Sequence, residues 1–211
     1  MTQPNDFGFG EEAALLKESA RKLFSESFPT DRLHSLVAGD PTPERMSDSQ
    51  WDRELWQQIV ALGWTVLAVP EAQGGVGMPA VAVAGLAEEL GRAAFPCPLL
   101  PTLASTYVLA ACGAGGEAAL EEIASGVTAS LALADRHGAS GAGDSEVDYS
   151  GGRLTGTAWF VQEARKVQRF LVGAQGSGGP GLYWVAADAG GVIIEPDAIV
   201  DLTRDQAHVR F

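Results

Sequence analysis

The residues Pro70 and Glu71 lead into Gly74-Gly75-Val76-Gly77, and an alanine-rich stretch ending Glu88-Glu89-Leu90-Gly91-Arg92 follows directly. A glycine run ahead of a helix has two chemical uses. Its amides can cradle a phosphate at the positive end of the helix dipole, or it can form a tight elbow that brings two helices together. A phosphate loop of the nucleotide-binding type needs a Lys-Ser/Thr pair after its glycines, and none is present; Gly-x-Gly-x-x-Gly is not matched either. The elbow is therefore the expected role. Other candidates for chemistry are sparse. His34, His137 and His208 lie far apart in the chain and read as surface residues without an identifiable catalytic partner. No Gly-x-Ser-x-Gly elbow or Ser-His-Asp order appears. Cys97 and Cys112 have no Cys or His at ligand spacing, so no metal site is expected. Both read as small buried hydrophobes in a reducing compartment.

The elements that must position any site divide near Gly126. Before it, apolar residues recur at helical spacing. A first helix begins near Gly10, with Glu11 and Glu12 at its positive end and Leu16, Ala20, Leu23, Phe24 and Ser27 along one face. Residues Ala38 to Ser47, with Pro41 and Pro43, read as a loop. Ser47 and Gln50 have capping-box spacing ahead of a stripe of Trp51, Leu55, Ile59 and Leu62, and Gly63 is the expected left-handed stop. Pro79 fits the first turn of the next helix, which runs to about Ala93. Helices are also expected over about Leu99 to Ala111 and Glu117 to Ser125. After Gly126 the pattern changes to strand-length runs: TASLALAD, RLTGTAWFV, RFLVGA, GLYWVAAD, GVIIEP and HVRF. GASGAGDSE (138–146) and GSGGPG (176–181) read as flexible loops between them. The expected fold class is α+β: an all-α helical domain over residues 1–125, then an antiparallel β-sheet or small-barrel domain over residues 126–211.

The chain of 211 residues has 46% hydrophobic residues and a formal net charge of -13. That length buries a core, and the charge opposes binding to nucleic acid. The N-terminus lacks the basic start and apolar core of a signal peptide, and no apolar run is long enough for a membrane span. A soluble, cytoplasmic protein is the expectation.

The ordered set Leu62-Gly63-Trp64, Pro70-Glu71, Gly74-Gly75-Val76-Gly77 and Glu88-Glu89-Leu90-Gly91-Arg92 resembles the N-terminal helical region of the acyl-CoA dehydrogenase family. The runs LALAD (131–135), LTGTAWFVQEA (154–164) and DLTRDQAHVRF (201–211) are similar to successive parts of that family's middle β domain. The resemblance implies a flavoprotein oxidoreductase in which FAD lies at a seam between β and helical domains. There a carboxylate removes the α-proton of an acyl-CoA thioester while the β-hydrogen leaves as hydride to the flavin. It also implies an acyl-CoA substrate, a homo- or hetero-oligomer, and an electron-transfer flavoprotein as electron acceptor.

Carried over position by position, the flavin-contacting segments fall on Leu133, Ala134 and Asp135 and on Phe160, Val161 and Gln162. The sequence departs from the family in both. Ala134-Asp135 stands where the family has Thr-Glu, which removes a hydroxyl, and Phe160-Val161-Gln162 stands where Trp-Ile-Thr is usual. Backbone amides could still hold the flavin. Phe160 is alternatively a core residue of its strand. Asp201 and Arg204 are expected to pair and pin a turn, and Arg92 to meet carbonyls at its helix end. The family continues past the equivalent of Phe211 with a helical bundle that carries the catalytic carboxylate, so no catalytic residue is assigned. Two roles follow: part of an FAD-dependent acyl-CoA dehydrogenase, or a non-catalytic scaffold subunit that completes a heteromeric one.

Overall fold

A computed structural model describes residues 10–37 and 51–211. Six helices precede seven strands among them: α1 (Gly10–Ser27), α2 (Thr30–Val37), α3 (Arg53–Ala61), α4 (Ala80–Ala93), α5 (Leu99–Ala111) and α6 (Glu117–Ala124), then β1 (Ala129–Ala132), β2 (Val147–Ser150), β3 (Arg153–Gln162), β4 (Arg169–Gly176), β5 (Gly179–Ala186), β6 (Ile193–Pro196) and β7 (Gln206–Arg210). The α+β class, helices first, is the one the sequence patterning implies.

In α1 the expected face buries Ala20 and Phe24, joined by Ala13. Helix α2 was not anticipated; it starts after Pro29, whose carbonyl accepts from Arg32 N and Leu33 N. The Ser47–Gln50 capping box lies outside the described residues. The cap of α3 is Asp52, whose carboxylate accepts from Glu54 N at 3.1 Å and Leu55 N at 2.9 Å. Leu55, Trp56 and Ile59 are buried, whereas Leu62 is exposed and Trp51 lies ahead of the helix. Gly63 is left-handed at φ 72° and ends α3 as expected.

The glycine run is an elbow, and its amides show why it holds no phosphate. Gly74 N donates to Glu71 O, Gly75 N to Pro70 O, Val76 N to Val66 O, Gly77 N to Val69 O and Met78 N to Leu67 O. The amides of residues 74–78 are thus all spent on neighbouring carbonyls. Gly74 and Gly77 adopt positive φ, and a Cβ on Gly75 would lie 2.1 Å from Val69 O. Pro79 sits just outside α4 as its N-cap residue rather than in its first turn.

Helix α4 presents Ala82, Val83, Gly85, Leu86 and Leu90 inward, where Leu86 and Leu90 join Phe24, Trp56, Trp64 and Phe95 in the helical core. Glu89, 1% exposed, sits on that inner side. It is tolerated because Arg21 reaches it through Nε (3.1 Å) and Nη2 (2.8 Å), tying α1 to α4. Arg92 also turns back to Glu89, at 3.1 Å, instead of meeting terminal carbonyls.

The strands form one sheet in the order β1-β4-β2-β3-β7-β6, with β5 paired to β4. Most pairs are antiparallel, but β1 runs parallel to β4 and β2 meets β4 in parallel at Asp148–Gln175, so the sheet is mixed. β2 was not anticipated: its four residues, Val147-Asp148-Tyr149-Ser150, alternate but form a short run. The segment 176–181 is mostly paired strand, since Gly176 opposes Gly179 and Gln175 opposes Pro180, which leaves a two-residue hairpin turn. Pro180 is accommodated on β5, whose only ladder partner is β4. Arg204 pairs with Glu163 at 3.4 Å, not with Asp201, which accepts from Thr203 N and Oγ1.

Two outcomes follow. Gly75→Ala destabilises the fold by about 1–3 kcal/mol, more than Gly74→Ala, whose added methyl meets nothing within 4 Å; urea melts of both variants rank them. The Arg21 hydrogen bond, outweighing burial, holds the Glu89 carboxyl below its ordinary 4.5. Its contribution is therefore full above about pH 5 and is lost as pH falls through the lower folded value. Glu89→Gln should be less stable at pH 7 and lose less stability between pH 6 and 3 than the native chain.

Candidate functional site

The helical half and the sheet are stitched by backbone and hydroxyl contacts. Thr102 Oγ1 on α5 donates to Ala129 O and accepts from Ala129 N at the start of β1. Trp56 Nε1 donates to Gly126 O. On α6, Glu122 accepts from Arg169 Nε on β4 at 2.7 Å and Trp184 Nε1 on β5 at 3.2 Å; the Arg169 contact, opposed by burial, keeps this carboxyl below the usual range.

Beside this junction lies a cleft of about 630 Å³. Leu109 and Cys112 at the end of α5 and Ala119 of α6 form one wall, and Leu171, Gly173, Ala174, Gly181, Leu182 and Trp184 of β4 and β5 form the other. Leu133 and residues Ser140, Gly141, Ala142 and Ser145 close the rim. The 138–146 segment is held in place as a loop: Ser145 Oγ donates to Gly173 O at 2.6 Å and Gly141 N to Asp144 Oδ2 at 2.7 Å. The lining is apolar with small residues on its floor, as for a ligand with a bulky apolar part, and no carboxylate lines it.

The second candidate segment meets the first one residue away from the cleft. Leu133 lines the cleft, and its neighbour Ala134 is bridged to Trp159, whose N–H donates to Ala134 O at 3.0 Å. The pairing of β3 with β7 is interrupted between Ala158 and Val161, and Phe160 within that bulge has φ 55°. A bulge re-aims a side chain. Here it leaves Phe160 43% exposed while Val161 is buried.

The six candidate contact residues thus behave differently. Leu133 faces the cleft and Phe160 presents an exposed ring. Val161 is packed in the sheet core and offers a ligand only its backbone. Gln162 Nε2 donates to Gln206 Oε1 at 2.7 Å and to Phe160 O at 3.2 Å, which braces the bulge. Asp135 Oδ1 accepts from His137 N and Ala139 N, so this carboxylate organises its own turn. Ala134 supplies a backbone partner for Trp159.

Two residues of the site, Trp159 and Trp184, were not singled out from sequence, and His208 was read as a surface residue. Trp159 stacks on His208 at 5.0 Å and 23° and donates to Glu146 Oε2 at 3.0 Å. Trp184 closes the cleft. His208 is half-buried rather than superficial, whereas His34 and His137 are exposed. The Trp-Phe pair in AWFVQ was visible; the partners of His208 required the β6–β7 register. Cys97 is buried as expected, but Cys112 is exposed at the cleft. Among the described residues, no group of three His, Cys, Asp or Glu could hold a metal ion, and no helix is long and apolar enough to cross a membrane.

A family model described as "Acyl-CoA dehydrogenase, N-terminal domain" matches residues 10–126, and the chain belongs to the acyl-CoA dehydrogenase family. It is 31% identical over 117 residues to acyl-CoA dehydrogenase IpdE2 of Mycobacterium tuberculosis (strain ATCC 25618 / H37Rv), covering 55% of this chain and 34% of that protein. Acyl-CoA dehydrogenase FadE27 of the same organism is 29% identical over 173 residues, 76% of this chain and 45% of that one. A solved variant of the Tcur3481-Tcur3483 steroid ACAD superposes with a TM-score of 0.75 at 29% identity, over 96% of this chain and 55% of that chain. The chain therefore spans a third to just over half of the length of these relatives.

Thiol chemistry reports on the cleft. Burial pushes the Cys97 thiol up to about 12, so it should resist alkylation in the folded state, while Cys112 should react. A ligand that fills the cleft should slow Cys112 labelling several-fold, as read by mass spectrometry, and leave Cys97 unmodified.

Proposed function

We propose that this chain supplies the helical and β parts of an FAD-dependent acyl-CoA dehydrogenase, divided near residues 125 and 126, that oxidises an acyl-CoA thioester to the 2,3-enoyl-CoA. The observation that carries the reading is the bulge at Phe160, which turns an aromatic ring outward on the segment that meets Ala134, one residue away from an apolar cleft. An exposed phenyl on a strand otherwise packed into the core serves a flat hydrophobic partner well. Family membership supports FAD as that partner, and the residues present fit it: Phe160 would offer a face, and the backbone of Leu133, Ala134 and Gln162 would border it. When bound, FAD supplies the hydride acceptor.

The chain's own residues bind and orient. Leu109, Leu133, Leu182 and Trp184 would hold the apolar part of the thioester and keep water from it. The small residues Gly173, Ala174 and Gly181 leave room for a bulky, ring-bearing acyl group, in keeping with the steroid-type relative. No carboxylate lines the cleft, and no residue of this chain is assigned as the base. A soluble cytoplasmic oligomer that passes electrons to an electron-transfer flavoprotein completes the reading.

A second reading, a non-catalytic subunit of a heteromeric dehydrogenase, is favoured by Ala134 and Asp135. The first lacks the hydroxyl of the family, and the second is spent on its own turn.

Reconstitution separates them. The intact protein should acquire the visible absorbance of bound FAD and bleach with a CoA thioester of a ring-bearing acid, and Phe160→Ala should weaken FAD binding about tenfold. A protein that takes up no flavin but co-purifies with a larger dehydrogenase chain would establish the scaffold instead.

A further inference from the structure

His208 on β7 faces Glu195, its register partner on β6. Its Nε2 lies 2.7 Å from Glu195 Oε2, and its Nδ1 lies 3.2 Å from Asp197 Oδ1. Carboxylate oxygens only accept, so both ring nitrogens make a hydrogen bond only when both carry protons. A neutral imidazole would set a lone pair against one of the two carboxylates. The same ring stacks on Trp159, so the site that geometry selects is an imidazolium over an indole face, an arrangement favoured by the ring quadrupole.

The surroundings can be enumerated. Glu195 comes from β6 and also pairs with Arg210 of β7 at 3.2 Å. Asp197 follows β6 and accepts from Gln206 Nε2 at 2.9 Å. From β3, Trp159 contributes its face, and its N–H edge meets Glu146, which is paired with Arg136 at 2.6 Å.

We propose that His208 is a positioning residue: charged, it clamps the Trp159 indole and so fixes the Trp159–Phe160 edge, and losing its charge releases that edge. The flavin part of this role rests on the proposed function. Partial burial works against the charge, but the hydrogen bonds His208 donates to Asp197 and Glu195 prevail and hold the imidazole above its ordinary 6.5. The clamp is therefore complete below about pH 6.5 and is lost as pH rises through the raised folded value.

The test uses the intact protein and two readouts over pH 6 to 9. In the flavin-free form, the Trp159 fluorescence, defined by difference from Trp159→Phe, should rise as His208 loses its proton. In parallel, the dissociation constant for FAD should increase about fivefold across the same window. His208→Arg, which keeps a cation over the indole, should hold tight binding at every pH. His208→Phe, which keeps a flat ring without charge, should bind at the weaker level throughout. The proposal is overturned if Trp159 emission does not titrate, or if His208→Phe reproduces the native pH profile. A titrating stack with FAD affinity constant in pH overturns the positioning role alone. No FAD binding at any pH overturns the proposed function and the positioning role with it.

Discussion

The Phe160 side of the candidate site depends on a buried ion cluster at the end of β3. Glu163 is fully buried, left-handed at φ 53°, and ion-paired to the buried Lys166. Its N–H donates to Asp205 O at 2.7 Å. Asp205, also buried, accepts from Arg165 N at 2.9 Å and Arg165 Nε at 2.7 Å, while Arg204 approaches Glu163. Burial pushes the Glu163 carboxyl up, and the charges of Lys166 and Arg204 pull the other way. Stranding one charge of such a pair costs about 3–5 kcal/mol, so the members are obliged to stay together. That obligation ties the end of β3 to the start of β7, next to the Gln162–Gln206 pair that follows the bulge exposing Phe160.

The same cluster reaches into the helical half. Burial dominates the raised Cys97 thiol, and the charges of Glu163, Lys166 and Arg204 act on it more weakly. Further along the junction, the Thr102 hydroxyl stitches α5 to β1 and Glu122 links α6 to β4 and β5. The cleft is what remains where these attachments diverge. It is a consequence of how two layers are fastened, and its floor is smooth because β4 and β5 carry Gly173, Ala174 and Gly181 there.

Periodicity made the helices and most strands legible, because burying an apolar face imposes spacing on the residues that form it. Where other interactions set the structure, it did not. Helix α2 is short, and β2 exists because its neighbours pair with it: a Cβ on Gly156 would lie 2.1 Å from Glu146 O, a close approach that local sequence does not display. The parallel pairing of β1 with β4 depends on contacts 40 residues apart, as between Ala129 and Arg169. At the site, the candidate segments around Ala134 and Phe160 could be named from sequence, but not which side chains turn outward. A regular strand would expose alternate residues, and the bulge breaks that rule. Likewise Arg204 finds Glu163 rather than Asp201, since the cheaper neutralisation is of the buried carboxylate.

Leu133–Asp135 and Trp159–Gln162 are proposed to form one flavin-bearing edge. Amide hydrogen exchange of the intact protein with and without FAD tests it most directly. FAD should slow exchange in both segments together, with little change in the elbow at residues 74–78, whose amides are already bonded. Protection confined to the elbow, or absent from both segments, would contradict it.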